Sequence, residues 1–353
     1  MEDIQYMKRT GYKGIVLEQN KEPVLSKGIK TLPRLPVKEE YFTQNPNIDV
    51  DSLTSDDYIE ICKQARIIDE SDGKFLWKKL EDAVSKHVSL VVIDLIDDEP
   101  YISSQLCLAV WMNDELKRGI DLIMRATSAE GLSVEVYKNI FDLDIKIPRT
   151  IGPYKVRRIG GNYPIEQRER SFANKKNAVV IGAGALVHLQ RAVFEGRVQT
   201  SAFVSVAGDS IANPANYELP VGATVQQVLD EVGTIILPKR VVIGGSMTGM
   251  SVENADAVTI SAASRGVLAF AELFGDMGFT CIGCGRCIDA CPQDLSPQYL
   301  YRLLRARKTK EAMRDAKYCI GCGACSYVCP AKLDLVHIIY GTACAERKKG
   351  VNL

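Results

Sequence analysis

Residues 281–292 read CIGCGRCIDACP, and residues 319–330 read CIGCGACSYVCP. Both are C-x2-C-x2-C-x3-C-P, which puts thiols at Cys281, Cys284, Cys287 and Cys291, then at Cys319, Cys322, Cys325 and Cys329. Three cysteines at this pitch can offer three thiolates to one face of an iron–sulfur cubane, on loops kept open by Gly283, Gly285, Gly321 and Gly323. The fourth cysteine points away, and in the two-cluster form of this motif it ligates the other cluster. The expected ligand sets are therefore Cys281, Cys284, Cys287 and Cys329 for one [4Fe–4S] cluster, and Cys319, Cys322, Cys325 and Cys291 for the second. Pro292 and Pro330 turn the chain after each fourth ligand. Zinc sites favour cysteine pairs about 15–20 residues apart, not triplets followed by Cys-Pro. Disulfides would strain within C-x-x-C loops and would need an oxidising compartment.

The composition sets the frame. A chain of 353 residues has room for two or three domains. Apolar residues make up 46%, enough for sizeable cores. Lys plus Arg and Asp plus Glu are 44 each, so net charge argues neither for nucleic acid nor for an anionic membrane surface. Three of the 11 cysteines, Cys62, Cys107 and Cys344, stand outside the motifs and are expected to be buried free thiols. Oxygen-sensitive clusters imply a reducing, cytoplasmic setting. The opening MEDIQYMKRTGYKG has no apolar core of a signal peptide. The longest apolar run, around residues 88–96, is half of the roughly 20 residues a spanning helix needs. Membrane association is expected only peripherally, through a partner.

Residues 1–50 read as an arm, with a short helix over 4–9 and an extended stretch broken by Pro23, Pro33, Pro36 and Pro46. Residues 51–200 alternate helix and strand and so predict an α/β domain. Its parts are a helix over 51–68 with Ser55 as N-cap, a buried strand over 88–95 and a long amphipathic helix over 101–126. Short strands follow at 132–137 and 178–181, then a helix over 186–194 ended by Gly196. Residues 201–245 read as a small β-grasp module, 246–278 as a connector, 279–345 as the helical cluster domain and 346–353 as a tail. Residues 301–317 read as one basic helix with a solvated face.

The chain resembles the RnfC family, the soluble electron-input subunit of Rnf-type complexes. It is also similar to cobalamin-reductase-like and proline-reductase-associated electron-transfer proteins. The residues that carry the likeness are the two cysteine blocks, DDEPYISSQL (97–106), VAGDSIANPANYELPVGATV (206–225) and IGGSMTGM (243–250). The resemblance implies a three-layer α/β domain like the flavin subunit of respiratory complex I. It also implies an SLBB-like β-grasp module and a dicluster ferredoxin domain, in the setting of anaerobic metabolism. The lipoyl-like domain common at the family's amino end is expected to be absent.

Family members carry FMN and take electrons from NADH, using a glycine-rich loop near the amino end. The corresponding stretch is read here as TGYKGIVLEQNKEP (10–23), where Gly11 and Gly14 stand but Val16, Leu17 and Gln19 replace glycines. An expected Asn becomes Asp94 ahead of Glu99-Pro100, and a V-Q-N-V-x-T turn becomes Ile181-Gly182-Ala183-Gly184-Ala185. Three losses around one pocket predict an abandoned flavin site. IGAGAL (181–186) lacks the third glycine of a dinucleotide fingerprint, having Val187 there, and reads as a tight strand-to-helix turn.

Three further groups read as ordinary structure. His87, His188 and His337 have no metal-ligand spacing. Tyr318 and Tyr327 flank cysteines and are expected to shield the second cluster. Asp97, Asp98 and Glu99 read as a strand-end cluster, and no catalytic residue is expected.

The sequence thus points to an electron-transfer protein passing single electrons through two [4Fe–4S] clusters between redox partners: ferredoxin, flavoprotein or reductase subunits of a larger complex. One alternative is an FMN-containing NADH:acceptor oxidoreductase, with Glu99 and Gly244-Gly245 near its flavin. The other is a scaffold whose clusters are structural.

Overall fold

The computed structural model describes residues 22–43, 49–137, 146–272 and 280–348. The expected helix over 4–9 and the stretch containing Val16, Leu17 and Gln19 lie outside the described residues.

The unbroken apolar run near residue 90 becomes Leu90–Leu95, a central strand of a five-stranded sheet. Parallel neighbours Gly131–Tyr137 and Ala178–Gly182 flank it, and Tyr154–Ile159 and Thr150–Ile151 complete the sheet. A strand covered on both faces carries apolar residues at every position rather than at alternate ones. Val91, Ile93 and Leu95 share one core with the helices Ser55–Gln64, Leu76–Ser85, Asn113–Thr127 and Ala183–Glu195. Ile165, at the start of the helix Ile165–Lys175, packs instead with Ile96, Tyr137 and Ile159.

A second sheet has six strands in the order Ile29–Lys30, Ala215–Pro220, Ser201–Ala207, Gly266–Phe270, Arg240–Ile243 and Met250–Val252. The helix Val225–Val232 buries Val228 and Leu229 against Val204, Val206, Leu219 and Val267 of this sheet. The sheet therefore extends past residue 245. Two strands come from the stretch read as a connector, and the arm supplies the edge strand.

A buried polar knot ties the two sheets together. Ser205 Oγ and Asn216 Oδ1 are 2.7 Å apart, the Ser103 amide donates to Ser205 Oγ, and Asn216 Nδ2 reaches Ser103 Oγ and the Val24 carbonyl. Polar groups at this depth are tolerated because they are bonded. Arg265 makes a second clamp, reaching Asp97 at 2.8 Å and Glu166 at 2.6 Å.

Four local expectations need correction. The long helix over 101–126 is two, Ser104–Trp111 and Asn113–Thr127, broken at Met112 with φ −127° and ψ 42°. The first is buried nearly all round, lying between the sheets, so its apolar positions run on in step with those of the amphipathic second. Thr54, not Ser55, caps the Ser55–Gln64 helix, in a capping box with Asp57. The basic stretch 301–317 is also divided, between Pro297–Arg305 and Thr309–Ala316, with Arg307 at φ +58°. Cys62 and Cys107 are buried, but Cys344 is only partly so.

His188 lies in the core of this body, its ring stacked on Phe203 at 5.4 Å between centroids. Burial, then the charge of Arg191, holds its pKa down at about 3. In the unfolded chain a histidine takes up its proton near pH 6.5. Its contribution to stability is therefore complete above that pH and drains away as pH falls toward the folded value. Urea unfolding should show a loss of ~1 kcal/mol from this residue between pH 7 and 5.5. A His188→Leu variant should lack that part of the slope; an unchanged slope would rule the account out.

Candidate metal centre

Each cysteine block folds as a loop entering a single helical turn, Arg286–Asp289 in the first and Ala324–Tyr327 in the second. The residues just before the turns, Gly285 and Gly323, have φ +80° and +77°. This left-handed conformation costs an L side chain about 1–2 kcal/mol and glycine nothing. The two blocks thus repeat the same backbone.

One hollow is lined by Cys281, Cys284, Cys287 and, from the other block, Cys329. A second is lined by Cys319, Cys322, Cys325 and, from the first block, Cys291. The structure therefore brings each triplet together with the fourth cysteine of the other block. Ile282, Pro330, Leu333 and Leu335 help to wall the first hollow; Pro292, Leu295, Leu300, Ile320, Val336 and Ile339 wall the second. Tyr318 and Tyr327 do not line either, and both are exposed. The shielding expected of these tyrosines is supplied by aliphatic side chains instead.

The hollows differ at one cysteine. Cys281 and Cys319 are both partly exposed, and Cys287 and Cys329 are buried like Cys325 and Cys291. Cys284, however, is exposed where its counterpart Cys322 is buried. Burial pushes the Cys322 thiol up to about 12 and Cys325 higher still. Such thiols ionise only when a cation takes the place of their proton. The Leu295 amide donates to Cys291 Sγ at 3.4 Å, the kind of bond that steadies charge on a ligand sulfur. Among the described residues, no three His, Cys, Asp or Glu side chains are grouped as for a single metal ion. Thiols set around a hollow fit a multi-iron cluster, in which each sulfur serves a different iron.

The α/β body holds the second hollow from outside. Tyr163 Oη donates to the Cys322 carbonyl at 2.6 Å. Glu99 accepts from the amides of Met247 and Thr248, at 2.7 and 3.2 Å, and from the Thr248 hydroxyl. The turn so held lies against Gly323, where a Cβ would sit 2.4 Å from the Met247 carbonyl oxygen. Glu99 and Gly245, which only the flavin-enzyme alternative would set beside a cofactor, pack on each other, leaving no room for a Cβ at Gly245. Tyr163 lies in none of the quoted motifs, and although Met247 falls within IGGSMTGM, nothing in that pattern shows that it meets Gly323.

The remaining candidates serve backbone ends or the surface. Asp97 accepts from the Leu106 amide, and Asp98 from the amides of Ile165 and Glu166 at a helix start. His337 is exposed and bonded to Asp334, and His87 is exposed. Ile181–Leu186 passes straight from strand to helix.

Residues 280–333 match the 4Fe-4S dicluster domain family, and residues 203–251 match the SLBB domain family. The chain is similar to the RnfC-type subunit of the ion-translocating oxidoreductase complex of Vibrio cholerae, at 28% identity over 74% of this chain and 36% of that protein. The Yersinia pestis protein of the same name is 27% identical over 66% of this chain and 41% of its own length. The corresponding subunit of the proton-translocating ferredoxin:NAD(+) oxidoreductase complex of Clostridium ljungdahlii is 26% identical over 70% of this chain and 58% of its own. The chain thus spans between about a third and three fifths of these relatives. Its fold is like that of a chain of an NAD+-reducing [NiFe]-hydrogenase in the air-oxidized state. That likeness has a TM-score of 0.58 at 13% identity, covering 86% of this chain and 70% of the other. The resemblance to RnfC-type subunits, the SLBB module and the dicluster domain read from sequence are borne out. No helix among the described residues is long and apolar enough to cross a membrane.

Alanine at Gly285 would meet nothing within 4 Å, while at Gly323 it meets the Met247 carbonyl. Gly285→Ala should cost only the backbone strain, ~1–2 kcal/mol. Gly323→Ala should cost measurably more, since the neighbour is backbone held by Glu99. Equal shifts of the urea midpoint in the two variants would contradict this.

Proposed function

We propose that the chain is an iron–sulfur electron-transfer subunit of an oxidoreductase complex, carrying single electrons between redox partner proteins through two [4Fe–4S] clusters. The observation that carries this reading is the crossed gathering of eight thiols around two hollows. In this reading Cys281, Cys284, Cys287 and Cys329 hold one cluster, and Cys319, Cys322, Cys325 and Cys291 hold the other. When bound, such clusters supply one-electron chemistry, with no bond made to a substrate.

The protein's own part is to bind, insulate and present. Aliphatic walls cover the buried sulfurs of Cys322, Cys325 and Cys291, and the Leu295 amide and the Tyr163 hydroxyl fix that second site. Exposed Cys284 and Ile282 place the first site at the surface, where a partner could approach. The relatives are named as subunits of ion- or proton-translocating complexes, which supports a place among other subunits and, through them, a peripheral place at a membrane. A cytoplasmic location accords with oxygen-sensitive clusters. No side chain is assigned a catalytic role.

Protein purified anaerobically should contain about eight irons per chain and show two reversible reduced-state EPR signals. Cys291→Ala should abolish the signal of the Cys319, Cys322 and Cys325 site, although Cys291 belongs to the other block. Zinc in place of iron would sink the proposal, and loss confined to the first site would overturn the crossed ligation. Clusters that do not cycle would favour a structural role.

A further inference from the structure

Beyond the carboxyl ends of parallel strands, a helix amino terminus offers free amides to a nucleotide phosphate. The Ala183–Glu195 helix begins there, directly after its strand. Every amide of this junction from Gly182 to Ala185 is already bonded to a side chain of the chain itself. Gly182 donates to Asp69 at 3.1 Å and Ala183 to Gln105 at 2.9 Å. Gly184 and Ala185 donate to the two oxygens of Glu70, at 2.7 and 2.9 Å.

The carboxylates are locked in place. Asp69 is fully buried, pairs with Lys79 at 2.6 Å and accepts from the Ser71 amide at 2.8 Å. A Cβ at Gly182 would lie 2.3 Å from Glu70 Oε1, and one at Gly184 would lie 3.0 Å from Glu70 Cδ. The two glycines of the IGAGA turn thus make room for a carboxylate of this protein. Asp94, buried at the end of the neighbouring strand, stands in register beside Gly182 and shares Arg170 with Glu166.

We propose that Glu70 and Asp69 are a built-in plug: they take the phosphate position of the α/β body, so that it binds neither FMN nor NADH. The residues present do not fit the flavin that the family resemblance implies. The occlusion stands on these contacts alone. What it adds to the proposed function rests on that reading: electrons must reach the clusters one at a time from a protein donor, not as hydride from a nicotinamide.

The test uses the full chain, purified anaerobically with its metal. Wild type should release no flavin on denaturation and should not quench FMN fluorescence up to about 1 mM. Glu70→Ala should melt at a lower temperature, and inorganic phosphate should raise its melting temperature while leaving wild type and the surface control Glu81→Ala unmoved. Should Glu70→Ala fail to fold, Glu70→Gln serves: the amides of Gly184 and Ala185 should exchange about tenfold faster than in wild type. Flavin bound to wild type, the absence of any phosphate effect on Glu70→Ala, or unchanged exchange in Glu70→Gln would each overturn the plug. Iron measured on the same samples separates the two readings, because its absence would count against the clusters and not against the plug.

Discussion

Cys287 and Cys291 are four residues apart yet line different hollows, and Cys325 and Cys329 repeat the arrangement. One helical turn in each block is all that separates them. Neither hollow can be assembled from one block, so the segments between and after the blocks must fold back to bring them face to face. The helices Pro297–Arg305, Thr309–Ala316 and Leu335–Lys348 do this, burying Leu300, Leu303, Met313 and Ile339 around the cysteines. For a body this small, an apolar core alone gives a thin margin. Metal binding that exists only in the folded state would add its free energy to folding.

That body is joined to the rest of the protein through polar contacts at specific backbone groups. Tyr163 and Glu99 belong to the α/β body, the Met247 turn to the six-stranded sheet, and Cys322 and Gly323 to the cysteine domain. With Arg265 bridging Asp97 and Glu166, all three parts meet in one place. Burial is the main force raising the Glu99 carboxyl above its ordinary range, and the Thr248 hydroxyl and the amides beside it oppose the rise. Such a junction is specific in geometry more than generous in energy, since buried polar pairs repay little more than their desolvation. Its value lies in holding the second hollow in one orientation against the larger body.

The parts that sequence made legible share a cause. Cysteine spacing, the apolar run of Leu90–Leu95 and the Gly196 stop are local signals with one physical meaning each, and each stands where that meaning puts it. The β-grasp module was legible from its short strands and turns. The second part of its sheet was not, because Gly266–Phe270 pairs in parallel with Ser201–Ala207 across some sixty residues of chain. The break at Met112 was hidden because Leu106 and Leu116, on either side of it, face the same core. Around the turn after Ala178–Gly182 the pattern IGAGA revealed a missing fingerprint. It could not reveal Glu70, whose partners Gly184 and Ala185 lie more than a hundred positions away.

The unequal exposure of Cys284 and its counterpart Cys322 would set an order of vulnerability. With Cys284 in solvent and its counterpart Cys322 behind Tyr163 and the Met247 turn, dioxygen or a chelator would meet one inorganic core before the other. Air exposure would then strip the chain in two stages, and the half-stripped form would keep only the inner centre. Near-identical motifs, distinguished only by what the rest of the protein lays over them, would thereby age at different rates.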